Sequence, residues 1–487
     1  MRKAARPLSG LLLGAALAGC SMAPKYVRPE APIPASWPAG DAYLKQSEAT
    51  LPTVTYRDIF RDARLQKLIE EALANNRDLR IAAANIASAR AQYRIQRADR
   101  LPVIDATAGA SYRDSGSGSS GANGGTGGLN ASGGRASFSA DVGVTAFELD
   151  LFGRVLSLTQ AEQNRYFATE AAARATRLTL VGDIANSWIN YAADASLLRI
   201  AEDTVASAAR SVELTRRRLE GGIAPRTDLR QAEQVQATAE ADAAEQRTAL
   251  AQDVNALRLL VGADIDAALL PASIEEAAPT IAELPAGLDS RVLLRRPDVV
   301  QAEYELRAAN AEIGAARAEL FPNISLTGIL GFASDALRTL FTGGAFNWQG
   351  GGNVSYSIFR AGAGRAGLDQ SKAQRDAAVA TYEKSIQVAF REVSDALARR
   401  GTIDAQRRAT ETQVNAAADN YRLADMRYRG GIDPFLSSLD AQRSLYSAQR
   451  TLVALRQTEA SNLVALYQSL GGDATLDPDT PPPATVR

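Results

Sequence analysis

Histidine is absent from the 487 residues, and cysteine occurs once, at Cys20. Without imidazole there is no Ser-His-Asp triad, no HExxH zinc site and no histidine proton shuttle. One thiol allows no disulfide within the chain. Long apolar runs are missing too: no stretch reaches the roughly 18 consecutive apolar residues of a membrane helix. Any crossing of a bilayer by the mature protein must therefore use strands. Neither sign of charge dominates, since 54 Lys and Arg face 55 Asp and Glu for a net of −1. That balance argues against nucleic acid as a partner.

The first residues carry Arg2, Lys3 and Arg6, then a short apolar run from Leu8 to Ala18, then small residues. This is the order of a secretory signal peptide, and the run is too short to span a bilayer. It ends at Leu17-Ala18-Gly19-Cys20, which resembles the lipobox of bacterial lipoproteins, where the signal is cut before Cys and the thiol receives a diacylglycerol. Ser21 follows, so the aspartate that retains lipoproteins in the inner membrane is absent. Cleavage there leaves 51 basic against 55 acidic side chains, a net of −4. The competing reading is an ordinary secretory signal with an incidental thiol.

Internal duplication is the most informative feature. The segment 219 to 233, LEGGIAPRTDLRQAE, returns at 428 to 442 as YRGGIDPFLSSLDAQ, an offset of 209, and the match runs on without a gap to 264 and 473. A second pair, 91 to 107 over 311 to 327, agrees at an offset of 220. A period this long is not that of a solenoid, so the chain holds two copies of one supersecondary unit.

Within each copy the periodicity changes in the same order. Leu65, Leu68, Ile69, Ala72 and Leu73 keep helical spacing, which predicts one helix running until Pro102. A period of two follows. Ile104, Ala106, Ala108, Ala110 and Tyr112 form one alternating set, and Phe138, Ala140, Val142, Val144 and Ala146 another, the latter opposite Ser137, Ser139, Asp141, Gly143 and Thr145. The second copy repeats this with Ile324 to Phe332 and with Trp348, Val354, Tyr356 and Ile358. Four strands emerge. After each pair comes a proline-free stretch, about 155 to 219 and 365 to 428, that predicts a helix of roughly 95 to 100 Å. Each stretch ends at a Gly-Gly pair, Gly221-Gly222 or Gly430-Gly431, and a shorter helix returns.

Strands of this length with one apolar face can cross a bilayer when tilted. Four cannot close a barrel, because the smallest have about eight, so a pore requires a dimer of eight strands or a trimer of twelve. The segment Ser115 to Gly134, rich in Gly, Ser and Asn, reads as the loop between the first two strands. Gly362-Ala363-Gly364-Arg365-Ala366-Gly367 is a formal GxGxxG, but the strand before it has a polar face and the helix after it is too long for a nucleotide-binding unit. It reads as the turn from strand to long helix.

These residues carry a resemblance. The lipobox, the duplicated units, FELDLFGR at 147 to 154, ARAELFPNISLTG at 316 to 328 and YRGGIDPFLSSLDAQRSLYSAQ at 428 to 449 together resemble the outer-membrane factors (TolC-like) of tripartite efflux systems, in the NodT-type lipoprotein branch. The resemblance covers nearly the whole mature chain. It implies a mainly α protein with a transmembrane β-barrel, in which a duplicated helix, β-hairpin, long helix, helix unit assembles as a homotrimer. Twelve strands then form a barrel that continues into a twelve-helix α-barrel in the periplasm. It implies a passive exit duct without catalysis, cofactor or metal beyond the diacylglycerol and N-acyl chain (palmitate) on Cys20. A periplasmic adaptor, an inner-membrane pump of the resistance-nodulation-division type and outer-membrane lipid are the partners it implies. The divisions are a signal peptide 1–19, a lipid-anchored extended segment 20–61, repeats 62–264 and 289–473, an equatorial insert 265–288 and a tail 474–487. Strands are expected near 102–113, 136–149, 322–333 and 346–359.

By the same resemblance the tunnel closes at its periplasmic tip. Asp440 would supply a carboxylate ring and Leu436 an apolar constriction one turn away, with closure responsive to pH. Tyr428, Thr227 and Asp228 match positions that tie neighbouring helix pairs shut. Asp433 departs from the pattern, standing where some members carry a basic residue, so that salt link is absent. The reading from another class is a lipid-anchored structural or adhesive helical protein without a pore. A periplasmic adaptor is disfavoured because no lipoyl-like β domain is visible.

Overall fold

A computed structural model describes residues 21–34, 36–38, 55–113, 135–282 and 290–472. The signal peptide, Cys20, the loop 115–134 and the tail 474–487 lie outside the described residues. The elements run in the order α1 (Ala63–Asn75), α2 (Arg77–Ala98), β1 (Asp105–Arg113), β2 (Arg135–Glu148), α3 (Arg154–Glu220), α4 (Arg226–Val261), α5 (Pro297–Ala318), β3 (Asn323–Ser334), β4 (Phe346–Ser355), α6 (Ala363–Arg429) and α7 (Phe435–Ser469). The duplication is explicit here: α3 and α6 are both 67 residues long. No helix among the described residues is long and apolar enough to cross a membrane.

One expected helix is two. The run toward Pro102 breaks at Asn76, whose ψ of 138° takes the backbone out of the helix. Asn76 is buried and works both ways: its Oδ1 accepts from Leu79 N at 3.0 Å, and its Nδ2 donates to the Leu260 carbonyl at 2.7 Å. An asparagine that serves both partners is worth a helix break, because each buried backbone group left unpaired costs about 1–3 kcal/mol.

The chain folds as two compact units. The first comprises Met1–Pro29, Ala87–Phe167 and Tyr304–Ala380, and the second Glu30–Ile86, Ala168–Glu303 and Thr381–Arg487. The first unit holds a four-stranded antiparallel sheet in the order β1-β2-β3-β4. Its helical part packs through small residues, with Ala161, Ala308 and Ala311 forming a buried cluster. In the second unit Leu65, Leu68, Ile69, Ile184, Trp188, Leu257, Ile274, Leu293, Tyr382 and Tyr467 form a fully buried core. Trp188 Nε1 donates to the Leu269 carbonyl at 3.0 Å, and Ser196 Oγ accepts from Ile274 N at 2.9 Å. These bonds fasten the connection after α4 to the flank of α3.

Candidate functional site

The register of the sheet decides what each face can touch. Directly paired residues share a face, so the pairings Ala106↔Val142, Val142↔Leu330 and Leu330↔Trp348 make one apolar row. Ala108, Ala140, Phe332 and Phe346 make the next row, and Ile324 and Val354 lie on the same side. The opposite face carries Thr107, Ser111, Ser137, Ser139, Asp141, Asn323, Ser325, Thr327, Asn347, Gln349, Asn353 and Ser355. Leu330 is 59 % exposed and Trp348 72 % exposed, so the apolar face is uncovered in the single chain. Lipid on one side and water on the other is the environment that suits this division.

Sequence alternation placed Ala146 on the apolar face, and the structure corrects this. A register shift between Val144 and Phe147 pairs Phe147 with Leu326. The bulge passes the apolar position from Ala146 to Phe147. Tyr356 and Ile358 likewise fall beyond β4, which ends at Ser355. Both outer strands, β1 and β4, are exposed along their whole length. They present unpaired edges, which hydrocarbon does not tolerate.

The motif FELDLFGR is the junction between β2 and α3. Arg154, the first residue of α3, donates two hydrogen bonds to Glu148 at the end of β2, at 2.9 and 2.6 Å. Asp150 Oδ2 accepts from Leu156 N at 2.7 Å, which satisfies a free donor in the first turn. Gly153 supplies the left-handed φ of 71° that the turn requires. Phe152 stacks on Phe321 at 4.8 Å, joining this motif to its counterpart ahead of β3. Gly362, the first glycine of the GxGxxG stretch, plays the same part: it has φ 85° and α6 starts at Ala363.

At the far ends of the long helices the two copies build the same turn. Ile223 N donates to the Arg218 carbonyl and Ile432 N to the Arg427 carbonyl, both at 2.9 Å. Gly222 and Gly431 hold φ of 73° and 71°. Each turn is thus a Schellman-type stop in which only glycine is free of strain. Pro225 and Pro434 then start α4 and α7. Val212, Leu229, Ala232, Tyr428, Phe435 and Leu439 form a buried cluster behind the turns.

Tyr428 is the centre of that cluster. Its ring lies 5.2 Å from Phe435, its hydroxyl meets Thr215 Oγ1 at 3.2 Å, and the Arg218 guanidinium sits 4.4 Å above it. Arg218 also donates to the Arg429 carbonyl at 3.0 Å. Above this, Ser207 Oγ bonds the Tyr421 hydroxyl at 2.8 Å and accepts from Gln442 at 3.3 Å. Within one chain the hydroxyl of Tyr428 therefore engages α3, and not Thr227 or Asp228. Thr227 is exposed and Asp228 half-buried, and neither side chain has a hydrogen-bond partner among the described residues. Burial holds the Asp228 carboxyl above the usual carboxylate range.

Asp433 is paired: Arg427 donates to both its oxygens, at 2.6 and 2.9 Å, and holds its carboxyl below the usual range. Asp433 thus takes part in a different salt link, for which Arg427 supplies the basic side. Thr215 and Arg218 could not be found from local sequence, since each acts on a residue more than 200 positions away. Leu436 and Asp440 stand one turn apart on α7, both exposed, while Phe435, Ser438, Leu439 and Gln442 bury the opposite side.

A second electrostatic feature lies between α3 and α4. The carboxyls of Asp194 and Asp253 face one another; burial, and beside it the charge of Asp194, push Asp253 up to about 7. Asp253 Oδ2 is buried without a hydrogen-bond partner. Ionisation of Asp253 is penalised in the folded state only, so this pair destabilises the fold least below the ordinary carboxylate range and increasingly as pH rises toward about 7. Asp253→Asn is expected to raise the melting temperature at pH 8, with the gain shrinking to nothing near pH 4. Melting curves at the two pH values check this.

The family model described as outer membrane efflux protein matches residues 68–263 and 288–472. The chain is 46 % identical over 458 residues to the probable efflux pump outer membrane protein TtgC of Pseudomonas putida, covering 94 % of this chain and 93 % of that protein. It is 39 % identical over 472 residues to the outer membrane protein OprJ of Pseudomonas aeruginosa, covering 97 % of each. Among solved structures it superposes on CusC with a TM-score of 0.81 at 36 % identity, over 93 % of this chain and all 100 % of that one. The open state of the MtrE outer membrane channel of Neisseria gonorrhoeae gives a TM-score of 0.79 at 34 % identity, over 93 % and 99 %. With its two repeats, its two-faced sheet and these matches, the chain belongs to the outer membrane efflux protein family.

Proposed function

We propose that the chain is the outer-membrane exit duct of a tripartite efflux pump, a passive gated channel that carries small molecules out of the periplasm. The observation that carries this reading is the sheet: one face apolar and uncovered, the other polar, and both edges open. Four strands with open edges require further copies in lipid, and three copies give a twelve-stranded barrel with its polar face toward water. The homotrimer, the periplasmic adaptor, the inner-membrane pump and acylation of Cys20 complete the proposal.

The duct does no chemistry in this reading. Selectivity is confined to its gate, where Leu436 gives an apolar ring that resists wetting and Asp440 a ring of carboxylates that favours cations. Thr227 and Asp228 are the candidates to bond a neighbouring copy, a reading supported by their having no side-chain hydrogen bond among the described residues. Drug accumulation in cells tests the proposal. Without the chain an amphiphilic cationic dye should accumulate severalfold, and Leu436→Ala or Asp440→Ala should admit a large hydrophilic antibiotic that the parent excludes. Unchanged dye levels and unchanged exclusion would contradict it.

A further inference from the structure

The two open edges of the sheet belong to different repeats, and the strand feet repeat in sequence. Asp150-Leu151-Phe152 after β2 returns as Ser357-Ile358-Phe359 after β4, and Leu101-Pro102-Val103-Ile104 ahead of β1 returns as Phe321-Pro322-Asn323-Ile324 ahead of β3. Within the chain the first exit meets the second entry. Phe152 stacks on Phe321 at 4.8 Å, Leu149 N donates to the Ile324 carbonyl at 2.8 Å, and Glu148 pairs with Ser325. The reciprocal contact, second exit to first entry, is not made, because β4 and β1 lie at opposite edges of the sheet. Phe359 is left 86 % exposed and Leu101 69 % exposed.

We propose that the reciprocal contact is made between copies: β4 of one chain pairs antiparallel to β1 of the next in the register Ser355↔Asp105, Val354↔Ala106 and Trp348↔Tyr112, with Phe359 packed on Leu101 of the next copy. Ser355 and Asp105 stand to Phe359 and Leu101 as Glu148 and Ser325 stand to Phe152 and Phe321. The proposal rests on the homotrimer reading above and adds which edges meet and in what register.

The faces agree with this register. Val354 and Trp348 meet Ala106 and Tyr112 on the apolar side, while Ser355, Asn353 and Gln349 meet Asp105, Thr107 and Ser111 on the polar side. The backbone agrees as well. Ala333 N donates to the Ala345 carbonyl at 2.8 Å, so odd positions of β4 turn toward β3 and even ones toward the open edge. The bond from Leu149 to Ile324 turns even positions of β3 toward β2; followed through Val142↔Leu330 and Thr107↔Asp141, it leaves the even positions of β1 facing outward. Even positions then meet even positions across the seam. Traced from Ala106 through Val142, Leu330 and Trp348 to Tyr112 of the next copy, the paired row climbs six residues. Three copies climb eighteen, which at about 3.3 Å per residue and about 4.8 Å between strands tilts twelve strands by about 45°. A row two residues steeper in each copy would demand about 54°, beyond the usual range of about 35–45°. A slip of two residues either way also carries Phe359 about 7 Å past Leu101.

Disulfide trapping in the full chain tests the register. Asn353 and Thr107 would form a non-hydrogen-bonded pair with Cα atoms about 4.5 Å apart, within disulfide reach. Within one chain β1 and β4 are three strand spacings apart, about 14 Å, so a bridge between them joins two copies. Asn353→Cys is combined in turn with Asp105→Cys, Thr107→Cys and Gly109→Cys, and the parent, with Cys20 alone, sets the background. Oxidised outer membranes should give bridged dimers and trimers on non-reducing gels at least about fivefold more abundantly with Thr107→Cys than with either neighbour. Gln349→Cys/Ser111→Cys should bridge equally well at a second level of the seam. Intact oligomers whose bridging peaks with Asp105→Cys or Gly109→Cys, or that bridge with none of these pairs, would overturn the register and leave the duct standing. A parent that sediments as a single chain would overturn the trimer and the register together.

Discussion

Tyr428→Ala should make intact cells several times more sensitive to a large hydrophilic antibiotic, with the protein still assembled in the outer membrane. Truncating a buried aromatic costs about 3–5 kcal/mol in a well-packed site, and Tyr428 is only 4 % exposed. Three contacts go at once: the ring against Phe435, the hydroxyl on Thr215 and the Arg218 guanidinium over the ring. Each ties the end of α6 to α3 or α7, so the loss loosens the tip while the long helices keep the core of Trp188, Tyr382 and Tyr467. Tyr428→Phe should fall between, since it gives up only a neutral hydrogen bond worth about 0.5–1.5 kcal/mol. The minimal inhibitory concentration measures the effect. Equal values for Tyr428→Ala and the parent would show that this cluster does not hold the tip closed.

Leu330→Arg should nearly abolish the assembled protein in the outer membrane. Leu330 sits in the apolar row between Val142 and Trp348, and an arginine on the lipid face near the midplane costs about 2–4 kcal/mol in each copy. Asn347→Arg is the matched control: Asn347 pairs with Gly331, which pairs with Asp141, all on the polar face. Its charge would meet water and a carboxylate. Immunoblots of heat-modifiable oligomer in outer-membrane fractions should show the first variant depleted at least about tenfold and the second at parental levels. Equal depletion would mean that the faces are not divided between lipid and water.

Much of this architecture was legible because it is written locally. A proline-free stretch closed by Gly221-Gly222 or Gly430-Gly431 needs no partner to be a long helix with a sharp stop, and α3 and α6 end within a residue or two of where those signals fall. Alternation located the strands in the same way. What local pattern could not supply was anything settled by a partner. The bulge that passes the lipid face from Ala146 to Phe147 exists only in the pairing with β3. The break at Asn76 depends on the Leu260 carbonyl, and the bond between Tyr428 and Thr215 spans 213 residues. The close approach of Ala23 to Gly314, where a Cβ would stand 2.6 Å from Ala23 N, joins segments nearly 300 positions apart. Family resemblance singled out Tyr428, Leu436 and Asp440, but Arg218 became visible only once the two turns lay side by side, and the Arg427–Asp433 pair only once the second turn was folded.

Planar-bilayer conductance of the purified mature protein, beside Leu436→Ala and Asp440→Ala, tests the central claim most directly. Small, rare openings in the parent and larger, longer ones in both variants are expected of a duct closed at its tip. Bilayers that stay silent with all three proteins, each confirmed as intact oligomer, would contradict a pore and leave a lipid-anchored helical protein in its place.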